Sequence, residues 1–250
     1  MKVALLGDVH DDLALLSHAV TVAAAAGAGA VIQLGDLGFR EDLLGAGRAW
    51  PRFPIPVLAL CGNHEDHAFL AQARRSGLAA RWAAQGLCYQ ARGTVARLGG
   101  RTAVFLGGAL HVDRPQVRED GNVIQDSEVA TALAACAVHP PDLIATHSCP
   151  AGIGIGMHGD PSLAFGMAQH VHAAGFDSGP LNDCGEPALR RLWEGLTHRP
   201  AIWAFGHFHV SGRTVIQGTT FVVLPEAQAG PITAWDTDSN TLVELPSPTG

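Results

Sequence analysis

Five short polar blocks punctuate the chain, each where an apolar run ends: Asp8-Val9-His10, Gly35-Asp36, Gly62-Asn63-His64-Glu65, Thr146-His147 and Gly206-His207-Phe208-His209. Their side chains are carboxylates, imidazoles and one carboxamide. Imidazole suits iron, manganese, zinc or nickel, whereas carboxylate and amide oxygens favour harder ions. The set therefore supplies the donors that a pair of divalent cations needs. Two cations about 3.5–4 Å apart clamp a phosphoryl group and lower the pKa of a water between them. Hydrolysis of a phosphate ester is the chemistry to which these residue types point.

The elements that carry these blocks follow from the hydrophobic pattern. Short apolar runs predict strands over residues 3–6, 30–34 and 57–60, and an Ala-rich helix over 12–26 lies between the first two. Asp11 or Asp12 is placed to cap that helix and Gly27 to end it. A second helix is expected over 66–76. This βαβ alternation implies a sheet with helices outside it. Beyond it, Gly99-Gly100 signals a hairpin between strands at 94–98 and 102–106. Helices are expected over 127–137, 162–174 and 186–196, and strands over 143–145 and 201–205. Four short antiparallel strands over 213–217, 220–224, 232–236 and 241–245 finish the chain. In open α/β sheets ligands gather outside the carboxyl ends of strands, so blocks far apart in sequence can converge there.

The bulk properties set the frame. A chain of 250 residues that is 47% hydrophobic can bury a full core, and one domain over 1–250 is the expectation. The net charge of −7 disfavours a dedicated nucleic-acid binder, which needs a basic footprint. A single strand remains a possible partner. Thirteen histidines suit metal chemistry, and five cysteines without a CxxC pair read as free thiols. The apolar run before Gly7 is too short for a signal peptide, and no segment reaches membrane-spanning length. The expectation is a cytoplasmic protein without a membrane partner.

Taken singly, each block has an ordinary explanation as a cap or turn. The ordered set, from Asp8 to His209, resembles the calcineurin-like metallophosphoesterase superfamily, whose pattern is D-x-H, G-D, G-N-H-[D/E], H and G-H-x-H. The resemblance implies an α/β fold of two mixed β-sheets packed face to face and flanked by helices, an α/β/β/α four-layer sandwich. It implies one cation held by Asp8, His10, Asp36 and His209, and another held by Asp36, Asn63, His147 and His207, with Asp36 bridging. Manganese is the expected metal, with iron, zinc or nickel able to take its place. A hydroxide bridging the metals would attack phosphorus. His64 would donate a hydrogen bond to the phosphate or protonate the leaving oxygen. The substrate class is a small phosphodiester or phosphomonoester.

One departure matters. Ser/Thr phosphatases of this superfamily carry G-D-x-x-D-R-G, and here Phe39 stands where the second carboxylate would orient the histidine. That weakens a protein-phosphatase reading. A nuclease, a catalytically silent binding scaffold and a one-metal hydrolase compete with the two-metal enzyme; retention of every ligand argues against the scaffold. Arg114, in a loop with His111 and Asp113, is a candidate phosphate contact. The glycine-rich insertion at 149–183 holds His158, His170 and His172 and suggests a substrate lid. Without a following Gly-Lys-Ser/Thr it is not a P-loop. Cys149 beside His147 reads as a buried or incidental thiol.

Overall fold

The computed structural model describes residues 1–110, 121–154 and 161–247. Its first sheet begins with β1 (Lys2–Leu6), β2 (Ala28–Gln33), β3 (Val57–Ala59) and β4 (Leu87–Tyr89). These four strands run parallel in that order. On the other side of β1 lies β11 (Ile232–Asp236), antiparallel to it, and beyond that β12 (Thr241–Leu245), antiparallel to β11. The second sheet has the order β5 (Thr94–Leu98), β6 (Arg101–Leu106), β7 (Leu143–Thr146), β8 (Ile202–Phe205), β10 (Thr219–Val223) and β9 (Gly212–Ile216). In it β6, β7, β8 and β10 run parallel, and β5 and β9 are antiparallel edges.

The two-residue period of the strands divides the core. Val3, Leu5, Ile32 and Leu58 of the first sheet meet Phe105, Leu143, Ala204 and Val222 of the second. Ala4, Leu6, Val31 and Val57 face the other way. They pack on α1 (Leu13–Ala25), α3 (His67–Ser76) and α4 (Leu78–Ala84). Val104, Ile144, Trp203 and Phe221 likewise cover α5 (Asp126–Val138) and α7 (Pro187–Gly195). The result is the expected sandwich of two mixed six-stranded sheets between helical layers. No helix among the described residues is long and apolar enough to cross a membrane.

Several local choices match the side-chain chemistry. Asp12 caps α1 by accepting from Leu15 N at 2.8 Å, and Asp66 caps α3 by accepting from Phe69 N at 2.9 Å. The final four strands do pair antiparallel, but the β9–β10 and β11–β12 hairpins join different sheets. Moreover, β10 runs parallel to β8. Three elements are not predicted by the hydrophobic pattern: α2 (Glu41–Leu44), α4 and β4. The helix expected in the insertion is α6 (Pro161–Ala173). All five cysteines are free.

Phe39 belongs to the core. Its ring is fully buried, 5.4 Å from Trp82 and 5.3 Å from Tyr89 between centroids. Phe39→Ala is expected to cost about 3–5 kcal/mol, the usual range for emptying such a site. Urea unfolding measures this; a loss below about 1 kcal/mol would contradict the packing role.

Candidate metal centre

Every block in the pattern leaves its strand at the same edge of the sandwich. Asp8 and His10 follow β1, Asp36 follows β2, Asn63 and His64 follow β3, His147 follows β7, and His207 and His209 follow β8. Donor atoms of Asp8, His10 and His209 lie within 4.8 Å of one another, and so do those of Asp8, Asp36 and His147. His209 Nε2 is 2.9 Å from Asp8 Oδ2 and 3.0 Å from His10 Nε2. His147 Nε2 is 2.9 Å from Asn63 Oδ1 and 3.4 Å from Asp36 Oδ1. The His207 ring lies 4.9 Å from that of His147. The seven candidate donors thus come together, and Asp8, alongside Asp36, stands where the groups meet.

His147 joins the two sheets at this point. Its Nδ1 donates to Leu34 O at 2.7 Å. That bond turns Nε2 toward the carboxylates, the arrangement by which a backbone carbonyl fixes a metal-ligating tautomer. The carboxylates themselves are anchored by main chain. Asp8 Oδ1 accepts from His207 N at 3.1 Å, and Asp36 Oδ1 accepts from Asn63 N at 2.9 Å and His64 N at 3.0 Å.

Such crowding explains two glycines. A Cβ on Gly62 would fall 2.1 Å from Asp36 Oδ1, and one on Gly206 would fall 2.5 Å from Asp8 Oδ1. Backbone strain concentrates here too. His10, Asp36, His207 and His209 all have φ between 44° and 69°. Left-handed geometry at non-glycine residues costs on the order of 1–3 kcal/mol each and persists where surrounding structure enforces it.

Two carboxylates outside the expected set hold the site. Glu65 is buried and accepts from Gly62 N at 2.5 Å, Leu37 N at 2.9 Å and Gly38 N at 3.4 Å. It clamps the loop carrying Asp36 to the loop carrying Asn63 and His64. Its place in Gly62-Asn63-His64-Glu65 was the available signal. Glu226, after β10, lies beside His10 and His209. The rule that placed the other residues, a polar group just beyond an apolar strand, would have found it. Gln33 ties the β1 and β2 ends by donating to Gly7 O at 3.2 Å and Gly35 O at 2.6 Å.

Among the other candidates, His64 is 43% exposed, with Nε2 3.9 Å from Asp36 Oδ2 and its ring edge-on to His10. The Phe39 side chain is buried in the core, so that position offers no orienting group. Cys149 is fully buried, and burial pushes its thiol well above the ordinary range. His172 Nε2 lies 2.8 Å from Ser178 Oγ, and His170 is exposed. The amides of Gly152 and Gly154 are spent on the Asp183 carboxylate, at 2.6 and 2.8 Å, and do not cradle a phosphate. His111, Asp113, Arg114 and His158 lie outside the described residues.

The electrostatics call for positive charge. Burial alone would lower the His147 imidazolium, but Asp36 and Asp8 outweigh it and lift it to about 10. Burial would raise the Asp36 carboxyl, but His147 outweighs it and holds it well below the usual range. Burial and the His147 charge press His207 down to about 3. Hydrogen bonding to Asp8 raises His209. Burial, then Asp36, raises Glu65 to about 8. A proton on His147 does here what a cation does better, and oxygen plus imidazole donors fit a divalent ion.

A strand-end cluster of buried carboxylates and imidazoles on an α/β/β/α sandwich is the construction of a metallohydrolase. The chain belongs to the calcineurin-like phosphoesterase family, whose model matches residues 1–211. Membership places it among metal-dependent hydrolases of phosphate esters. One solved crystal structure superposes with a TM-score of 0.66 at 14% identity over 98% of each chain. TT1561 of Thermus thermophilus gives 0.61 at 13% identity, again over 98% of each chain. A putative 5'-nucleotidase from Staphylococcus aureus gives 0.54 at 13% identity, over 98% of this chain and 52% of that one. Identities this low speak to fold alone. No curated protein matches the sequence significantly.

His147 keeps to about pH 10 a proton with an ordinary pKa of 6.5, and Glu65 keeps to about 8 one with an ordinary pKa of 4.5. From pH 6.5 upward to 10 the folded chain therefore binds more protons than the unfolded one, and stability falls as pH rises. His207 acts in the opposite sense, but only below 6.5. The chelator-treated protein is expected to melt at progressively lower temperature across this window. Added divalent cation should flatten the slope by replacing the His147 proton. Thermal scans at several pH values check both; a flat metal-free profile would contradict the charge balance.

Proposed function

We propose that the protein hydrolyses small phosphate esters at a centre of two divalent cations, with manganese the first choice and iron, zinc or nickel as substitutes. The observation that carries this reading is the pair of buried carboxylates, Asp8 and Asp36, whose donor atoms converge with the imidazoles of His10, His209 and His147. Asp8, His10, Asp36 and His209 would hold one cation. Asp36, Asn63, His147 and His207 would hold the other, with Asp36 shared. Bound there, the cations would polarise the phosphoryl oxygens and activate a water for in-line attack.

The chain's own side chains divide the remaining work. His64, half-exposed at the mouth of the site, donates a hydrogen bond to the phosphate or delivers a proton to the leaving oxygen. Glu65 keeps the loops of Asp36 and His64 in register. A cavity of about 350 Å³ lies between the β9–β10 and β11–β12 hairpins, lined by Gly7 and Glu226 but by none of the candidate metal ligands nor by His64. The net charge of −7 supports a small ester over a long polyanion. The complete donor set supports an enzyme over a silent scaffold.

Wild-type protein is expected to carry two metal equivalents by elemental analysis and to hydrolyse bis(4-nitrophenyl) phosphate or 4-nitrophenyl phosphate with added manganese. Two bound metals without turnover of these esters, cyclic nucleotides, nucleoside monophosphates, phosphoproteins or single-stranded DNA would favour the scaffold. Asp36→Ala should lose both equivalents; full retention of one would contradict a shared carboxylate. His64→Ala should keep its metals while kcat falls by about 10²–10⁴-fold, the usual scale for a general acid. An unchanged kcat would remove His64 from the chemistry.

A further inference from the structure

We propose that Glu226 is a positioning residue of this centre, acting as the acceptor that aims His209 at the outer cation. The inference rests on the two-cation reading above and concerns a side chain outside the family's motif blocks. His209 presents Nε2 to Asp8 Oδ2 at 2.9 Å and to His10 Nε2 at 3.0 Å. Its opposite nitrogen, Nδ1, lies 3.5 Å from Glu226 Oε1. The same oxygen is 3.7 Å from His10 Nε2. One carboxylate oxygen thus faces both exposed rings.

Three observations separate this geometry from a chance surface pair. First, Glu226 is held in place: Gln228 Nε2 donates to its Oε2 at 2.7 Å, leaving Oε1 toward the histidines. Second, its backbone is built into the ligand loop. Ala227 N donates to Asp8 O at 2.9 Å, and Pro225 O lies so close to Gly7 that a Cβ there would fall 2.1 Å away. Third, Glu226 stands just outside the donor group it faces. Asp8, His10 and His209 bring their donor atoms within 4.8 Å of one another, a group that Glu226 does not join among the described residues.

That placement suits an outer partner better than a ligand. A metal-bound histidine gives its second N–H to a carboxylate, which fixes the tautomer, orients the ring and raises its basicity. An exposed ion pair alone contributes little to stability, so the effect of Glu226 should be read in cation affinity. It should fall on one cation, because His147, the corresponding ring of the inner group, is aimed by Leu34 O instead.

The test is chelator competition on the manganese-loaded protein, counting metal retained per chain. Wild type should hold two equivalents. Glu226→Ala should release one of them at about 10–100-fold lower free chelator, while the second follows wild type. Glu226→Gln keeps an acceptor oxygen without the charge and should fall between the two. It also keeps the test open if alanine disrupts the turn. Parity of the glutamine variant and any folded alanine variant with wild type overturns the proposal alone. Equal loss of both equivalents also overturns it, since an aiming role at His209 spares the His147 cation. A wild-type chain that holds no manganese overturns the two-cation reading, and this inference with it.

Discussion

Two carboxylates withdrawn from water set the terms for the rest of the molecule. Asp8 and Asp36 are 1% and 2% exposed. Burying an ionised carboxylate costs several kcal/mol unless hydrogen bonds and opposite charge offset it. Here the offsets come from far-separated parts of the chain. Backbone N–H groups of Asn63, His64 and His207 point at the carboxylate oxygens, and the His147 imidazole lies beside both residues. Parallel strands that end together make this possible, because each brings a loop to one edge. The face-to-face packing of the sheets then brings His147 within reach of Leu34 and Asn63.

The close approach has a local cost, and the chain concentrates it. Glycines precede Asp36, Asn63 and His207 because a side chain at those points would collide with the site itself. Left-handed backbone at His10, Asp36, His207 and His209 stores strain that the surrounding hydrogen bonds must outweigh. Glu65 is central to that balance, since it gathers three amides from two loops into one buried carboxyl group. The core beneath is regular, and the left-handed residues His10, Asp36, His207 and His209 gather at the candidate site, whereas Asn182, Cys184, Gln217 and Asn240 adopt that geometry elsewhere.

Much of this was legible in the amino-acid order. Apolar runs that stop at Asp8, Asp36, Asn63, His147 and His207 announced strands with polar tips, but being apolar throughout they did not tell one face of a sheet from the other. The helix after Gly77 was harder to see. That residue, at φ 80°, both closes α3 and opens α4, so one glycine hides two helices. With three residues, β4 shows too little alternation to read. The two C-terminal hairpins look alike in sequence, and only pairing with β1 or β8 sends them to different sheets. The partnerships of Glu65 and Glu226 depend on distances between loops, which no local pattern encodes. Phe39 was recognised as a departure, but its seat against Trp82 and Tyr89 needed the fold.

The first strand has a temporal consequence. β1 lies inside its sheet, with Lys2 opposite Ala28 on one side and Asp236 on the other. A ribosome therefore releases β2 soon after β1 and β11 only much later. Until β11 emerges, one edge of β1 remains unpaired and open to strand addition by other chains. Such long-range pairing slows folding. The nascent chain must carry the loop of Asp8 and His10, and the exposed edge beside it, past the synthesis of every intervening strand before the sheet can close.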